Sequence, residues 1–238
     1  MSADPAKLSD ALEAVLWDND GVLVETESLF FEVTRAAFAR LGLALTKDLW
    51  GTRYLAEGKP SREIALALGA DPARIDSVLR ERNEEYRRVL RQPPSIRPHV
   101  RETLKALVGR VRMAIVTGCD RAQLDQVHAS SELLSFFELI VTSDDCPHPK
   151  PHPELYRIAL RVLKLDPSNC LAIEDSPRGV AAACAAGVAC LAVPTELTSR
   201  LRFPGALAVE PEVSAVLKYL DRSSSQEISG RNYVDLTP

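Results

Sequence analysis

The chain has 238 residues, which at about 150 residues per domain is more than one compact unit and less than two, so one large domain with a smaller companion is expected. Twenty-nine Lys and Arg stand against 33 Asp and Glu, a formal charge of -4 with the basic residues dispersed, which excludes the clustered positive face of a dedicated nucleic-acid binder. Hydrophobic residues make up 46%, ordinary globular composition, and no apolar run nears the roughly 20 residues needed to cross a bilayer. Met1 to Asp10 is polar and mixed in charge and has no signal-peptide core. A cytoplasmic protein is expected, acting without nucleic acid or membrane, as a monomer or weak homodimer. Its five cysteines are odd in number and sit mostly among small or apolar residues, as reduced buried thiols would.

Short apolar runs rich in β-branched residues recur along the chain: Ala14 to Trp17, Val111 to Val116, Leu139 to Thr142, Leu171 to Ile173 and Ala189 to Val193. Runs without polar alternation predict strands buried on both faces, hence an α/β fold with a parallel sheet. Helical patterns fall between them, over His99 to Val108, Arg121 to His128, Glu154 to Leu163 and Arg178 to Ala186, the last with Ser176 as N-cap and Pro177 at the first helical position. From Ser28 to about Arg91 the alternation stops and only helical stripes appear, closed by Pro93-Pro94 and Pro98. The expected organisation is a core of residues 1–25 and 96–222, a helical cap of 26–95, and a polar Ser-rich tail of 223–238. The later stripe, of Ile75, Val78, Leu79, Tyr86, Val89 and Leu90, is interleaved with Arg74, Arg80, Arg82, Arg87, Arg88 and Arg91 and with Glu81, Glu84 and Glu85, which predicts a solvated helix face.

Chemistry concentrates where strands end. Asp18-Asn19-Asp20-Gly21 follows the first strand directly, and Gly21 permits a sharp turn that would project both carboxylates at the sheet edge where α/β folds bind ligands. The competing reading is an Asx-type turn. Thr117-Gly118 follows the second strand and offers a hydroxyl and backbone N–H groups to an anionic oxygen, or merely a turn with Asp120 as N-cap. Lys150 lies within His148-Pro149-Lys150-Pro151-His152-Pro153, three prolines stiffening a loop around one cation. Glu174-Asp175-Ser176 follows a buried strand, where two adjacent acids are costly unless neutralised.

In this order and spacing the four junctions resemble the haloacid dehalogenase (HAD) superfamily, in its β-phosphoglucomutase, phosphoglycolate phosphatase and CbbY-like branch: Asp18-x-Asp20-Gly21 the first motif, Thr117 the second, Lys150 in Lys-Pro-x-Pro the third, and Glu174-Asp175-Ser176 with Arg178-Gly179 and Ala186-Gly187 the fourth. The resemblance implies a Rossmann-like parallel sheet with a small inserted α-helical cap. It implies a Mg²⁺-dependent phosphomonoester hydrolase for a small phosphorylated metabolite, a sugar phosphate first, working through an aspartyl-phosphate. Asp18 is then the nucleophile and Asp20 the acid/base. Thr117, Gly118 and Lys150 bind the phosphoryl oxygens. Asp18, Asp175 and the Asp20 carbonyl hold the metal, with Glu174 in support. Two carboxylates about 4 Å apart repel by roughly 4 kcal/mol at an effective dielectric of 20, so convergence of these acids calls for a cation, and hard oxygen donors select Mg²⁺.

Asp20 also speaks against carbon–halogen and phosphonate chemistry, since the related dehalogenases and phosphonatases lack an acid there. A β-phosphoglucomutase-type mutase is the first alternative, disfavoured because Phe30 replaces a histidine common in such relatives. A receiver-like phospho-switch is the second, disfavoured by the helical insert and by Asp20. For substrate choice the loop Gly58-Lys59-Pro60-Ser61-Arg62 and Arg53 are the cap candidates, Lys59 first. Cys146, His148 and His152 could be read as soft-metal ligands, but their prolines make them neighbours of Lys150 instead.

Overall fold

The computed structural model describes residues 7–9 and 11–220, so the tail of 223–238 lies outside the described residues. Six parallel strands form one sheet in the order β3-β2-β1-β4-β5-β6. They are β1 (Ala14–Trp17), β2 (Arg112–Val116), β3 (Leu139–Val141), β4 (Cys170–Glu174), β5 (Ala189–Ala192) and β6 (Ala208–Val209). The first five coincide with the apolar runs. β6 is two residues long at the sheet edge, too short and too exposed to leave a pattern in sequence.

Every residue of β1 is fully buried, as a central strand covered on both faces must be. Its side chains alternate between two cores: Ala14 and Leu16 pack with Tyr156, Leu160 and Val180 on one face, Val15 and Trp17 with Leu104, Leu107 and Val216 on the other. Strand order reverses between β1 and β4, which places a crevice at their carboxyl ends. Trp17 pairs with Ile173 in register, so the residues that follow, Asp18 and Glu174, emerge side by side.

The insert that follows β1 makes α1 (Glu27–Arg40), α2 (Lys47–Trp50), α3 (Ser61–Ala67) and α4 (Pro72–Val89), with a wide π-type turn over Gly51–Ala56. They pack around Phe31, Phe38, Trp50, Leu55, Ile64 and Ile75, an apolar centre joined from outside the insert by Leu197. Entry and exit segments of the insert lie antiparallel: Glu25 N–H donates to the Ser95 carbonyl at 2.9 Å and Arg97 N–H to the Leu23 carbonyl at 3.0 Å. Arg82 departs from the solvated face expected of its charge run. It is only 7% exposed, its guanidinium lies 4.5 Å over the Phe30 ring, and it donates to the hydroxyls of Thr34 and Ser61. An arginine stem can line an apolar face, and here the head is turned inward with it.

The remaining α-helices among the described residues are α5 (Val100–Leu107), α6 (Arg121–His128), α7 (Glu154–Leu163) and α8 (Pro177–Ala185). Asp120 caps α6 by accepting from Gln123 N–H at 2.7 Å, and Ser176 caps α8 by accepting from Gly179 N–H. Both caps lie a few residues beyond a strand end, which fixes where the loops of the crevice sit. All five cysteines are free thiols, four of them buried.

Candidate active site at the β1/β4 switch point

Asp18, Glu174 and Asp175 are all buried, and one carboxylate oxygen from each lies within 4.8 Å of the other two. Lys150 enters this cluster from the proline-stiffened loop. Its ammonium donates to Asp18 Oδ1 at 3.0 Å, to Glu174 Oε1 at 2.7 Å and to the Val116 carbonyl at 2.8 Å. Tyr156 also donates to Glu174 Oε1. Asp20 stands apart from the lysine: its carboxylate accepts from the Thr26 hydroxyl, and the Thr117 hydroxyl lies 3.4 Å away. The Asp18–Asp20 loop is tied down by Asn19, whose carbonyl accepts from Leu23 N–H at 2.9 Å and whose side-chain oxygen meets His128 Nε2 at 2.7 Å. Neither Asn19 nor His128 is legible in sequence as part of the site, because a buried histidine on a helix carries no signal of what it faces.

One lysine cannot neutralise three carboxylates, and the proton affinities record the excess. Burial first, then the charge of Asp18, holds the carboxyls of Asp20 and Asp175 above the usual range, and pushes Glu174 up to about 7. Burial pulls the Lys150 ammonium down, but Asp18 and Glu174 outweigh it and hold it above the usual lysine range. Two further observations test whether a cation fits. Glu174 Oε2 and Asp175 Oδ2 are buried without a hydrogen-bond partner among the described residues. Both crowd against glycines: a Cβ at Gly179 would lie 1.9 Å from Glu174 Oε2, and one at Gly21 would lie 2.2 Å from Asp175 Oδ2. Gly21 also has φ +76°, open to glycine at little cost. All-oxygen donors with unmet charge fit a hard divalent cation held by Asp18 and Asp175 with Glu174 beside them.

These groups open into a cavity of about 200 Å³ lined by Asp18, Asp20, Gly118, Lys150, Asp175 and Arg178 from the sheet side and by Glu27, Phe30, Tyr54 and Tyr86 from the insert. A family model for haloacid dehalogenase-like hydrolases matches residues 15–193, which spans both halves of this site. The chain belongs to that family. Among curated relatives, a phosphorylated carbohydrates phosphatase of Thermotoga maritima is 32% identical over 181 residues, covering 74% of this chain and 82% of the relative. The protein CbbY of Rhodobacter capsulatus is 31% identical over 219 residues, covering 86% and 95%. A solved structure of a CbbY variant from Rhodobacter sphaeroides, in complex with xylulose-(1,5)bisphosphate, superposes with a TM-score of 0.75 at 26% identity, covering 88% of this chain and 99% of that one.

Within this haloacid dehalogenase-like hydrolase the four strand-end motifs meet, whereas the three basic residues singled out in the insert are not among the residues that line the cavity. Lys59 pairs with Glu63 at 2.7 Å, Arg53 with Glu57 at 2.8 Å and Arg62 with Asp76 at 3.0 Å, all six side chains at least 38% exposed. Two of these are i,i+4 pairs along the chain, so the carboxylate four residues on is the available signal that each cation has a local partner. Cys146, His148 and His152 likewise form no ligand set among the described residues; the two imidazoles sit 4.7 Å apart in the loop that carries Lys150.

What the sequence leaves unread is Glu27. It is 7% exposed, accepts from Trp50 Nε1 at 3.2 Å, and burial above all raises its carboxyl to about 7. Because the folded value lies above the unfolded one, Glu27 is well tolerated below about 4.5, and its stability contribution is lost as pH rises through about 7. Glu27→Gln keeps the acceptor for Trp50 and removes the charge. Its melting temperature is therefore expected to equal wild type near pH 4 and exceed it at pH 8, by up to about 3 kcal/mol in stability. A difference that does not grow with pH in thermal denaturation would contradict the shift.

Proposed function

We propose that the protein is a Mg²⁺-dependent phosphomonoester hydrolase of small phosphorylated carbohydrates, working through an aspartyl-phosphate on Asp18. The observation that carries the reading is the separation of two aspartates, Asp18 bonded to Lys150 beside Glu174 and Asp175, and Asp20 bonded to Thr26 with a raised proton affinity. Pairs of acids in unlike environments divide nucleophile from acid/base. The names of the relatives supply the substrate class, and the cavity between sheet edge and insert supports it.

Asp18 Oδ attacks phosphorus, and the bond from phosphorus to the leaving oxygen breaks as Asp20 delivers a proton to that oxygen. Asp20, now ionised, accepts a proton from water as the water oxygen attacks the same phosphorus, and the Asp18–phosphorus link breaks to free phosphate. Lys150 and the Gly118 N–H offset charge on the non-bridging oxygens, and Thr117 holds Asp20 and orders the turn by accepting from Cys119 N–H at 3.2 Å. A Mg²⁺ held by Asp18, Asp175 and the Asp20 carbonyl, with Glu174 in support, supplies further charge neutralisation when bound. A mutase would also have to hold a bisphosphate and turn it round. Phe30, enclosed by Trp50, Tyr54 and Tyr86, offers no proton or hydrogen bond at the place where mutase-like relatives carry histidine.

Phosphate release from a panel of phosphorylated carbohydrates and p-nitrophenyl phosphate is expected with Mg²⁺ and not with a chelator. No release from any of them in Mg²⁺ would sink the reading, and conversion of β-glucose 1-phosphate to glucose 6-phosphate would favour the mutase.

A further inference from the structure

Several side chains that line the cavity have no part in phosphoryl transfer: Glu27, Phe30, Tyr54, Tyr86 and Arg178. They form one organised group. Trp50 stacks on Tyr54 with ring centroids 4.0 Å apart and planes at 15°, and the same indole donates to Glu27. The Arg178 guanidinium carbon lies 4.4 Å from the Tyr54 ring centre. Phe30 packs against Tyr54 at 5.8 Å and Tyr86 at 4.9 Å. Glu27 and Arg178 therefore face one space, fixed by a shared aromatic scaffold, yet among the described residues neither has an ion-pair partner within 4.0 Å.

The two attract each other across the cavity, and Arg178 also hydrogen-bonds to Tyr54, but Glu27 uses one of its two oxygens on Trp50 and a guanidinium carries five donors, so a group bound between them would meet capacity that both still have. A hydroxyl donates and accepts at once and so can serve either group, while ring faces suit the C–H edges of a carbohydrate. A second phosphate or a carboxylate fits less well. Glu27 lies in the same wall, and its charge with that of Asp175 already acts on Arg178; Lys150 is committed to Asp18 and Glu174, and Lys59, Arg53 and Arg62 are paired outside the cavity. We infer that Glu27 and Arg178, ordered by Tyr54 and Trp50, form a specificity subsite for the uncharged polyhydroxyl end of a monophosphorylated sugar or polyol, and select against substrates with an anionic far end. The inference rests on the phosphomonoester reading above and narrows its substrate class.

Sorbitol 6-phosphate and 6-phosphogluconate share a carbon chain and differ at the far terminus, CH₂OH against carboxylate. The wild-type enzyme is expected to favour sorbitol 6-phosphate in kcat/KM by at least about tenfold, the scale of one hydrogen bond to a charged group. Glu27→Gln should lower that preference by at least about threefold. Arg178→Met should lower the ratio of kcat/KM for sorbitol 6-phosphate over p-nitrophenyl phosphate, which has no hydroxyls, by about tenfold. A wild-type preference for 6-phosphogluconate, or both ratios unmoved in the variants, would overturn the subsite. If none of the three compounds releases phosphate, the hydrolase reading fails instead. The subsite is then read from dissociation constants of the same pair, followed by tryptophan fluorescence in a Trp17→Phe background that leaves Trp50 as the reporter, and a preference for 6-phosphogluconate there overturns it too.

Discussion

Asp18→Asn is expected to abolish phosphate release, by at least about 10³-fold in kcat, with the fold intact and the melting temperature unchanged or higher. An amide oxygen is a poor nucleophile, so no aspartyl-phosphate forms. Stability is expected to hold because Asp18 is a source of repulsion in its own site: its charge raises the proton affinity of Asp20, Glu174 and Asp175 together. The substituted amide would still accept from Lys150, which keeps its bonds to Glu174 and the Val116 carbonyl. Asp20→Asn should lose a comparable factor on alkyl phosphates but fail differently on p-nitrophenyl phosphate. That leaving group departs without a proton, so the first step survives and the second, which needs a base for water, does not. A burst of nitrophenol of about one equivalent followed by a stall is expected in rapid mixing. Steady turnover at the wild-type rate by either variant would remove the assigned roles.

The parts of this site that are legible in sequence are those where strand burial fixes position. β1 and β4 are uninterrupted apolar runs, so the acids that follow them have to emerge at the sheet edge. Register between Trp17 and Ile173 then brings Asp18 to Glu174 with no help from loops. What escapes is what tertiary packing alone decides. Arg82 sits in an alternating charge run that reads as solvated, and it is buried only because α1, α3 and α4 converge on it through Phe30, Thr34 and Ser61. Arg178 reads as a helix-opening residue of the fourth motif, yet it turns to Tyr54 of the insert. Lys59 and Arg53 mislead in the opposite sense: their chemistry suits a phosphate, but a carboxylate one helical turn away claims each of them first.

Lys150→Met should be the most damaging substitution for stability, because it removes the cation and leaves the charges it compensates. Exposed ion pairs of this chain, such as Arg35 with Glu32, have solvent to fall back on. Lys150 does not: its side chain is 6% exposed, against 10% for Asp18 and 0% for Glu174. Breaking one member of a buried pair costs about 3–5 kcal/mol, which for a chain of this size lowers the melting temperature by about 6–20 °C. The loss must depend on pH. Glu174 already binds its proton up to about 7 in the folded state, above its unfolded value of 4.5, and without the ammonium that affinity rises further. The variant can therefore neutralise Glu174 cheaply below about 5 and progressively less well above 7, so its deficit against wild type should shrink in acid and widen in alkali. A lysine that only fills space and one that balances charge also differ in their response to a cation. Mg²⁺ bound among Asp18, Asp175 and Glu174 would replace part of the missing positive charge, so added Mg²⁺ should raise the melting temperature of Lys150→Met by more than it raises that of wild type. Equal shifts in the two proteins would mean that the acidic cluster and the lysine do not share one charge balance. Phosphate release should stay at least about 10²-fold down even in saturating Mg²⁺, since a cation among the carboxylates does not restore the positive charge that Lys150 sets beside the phosphoryl oxygens.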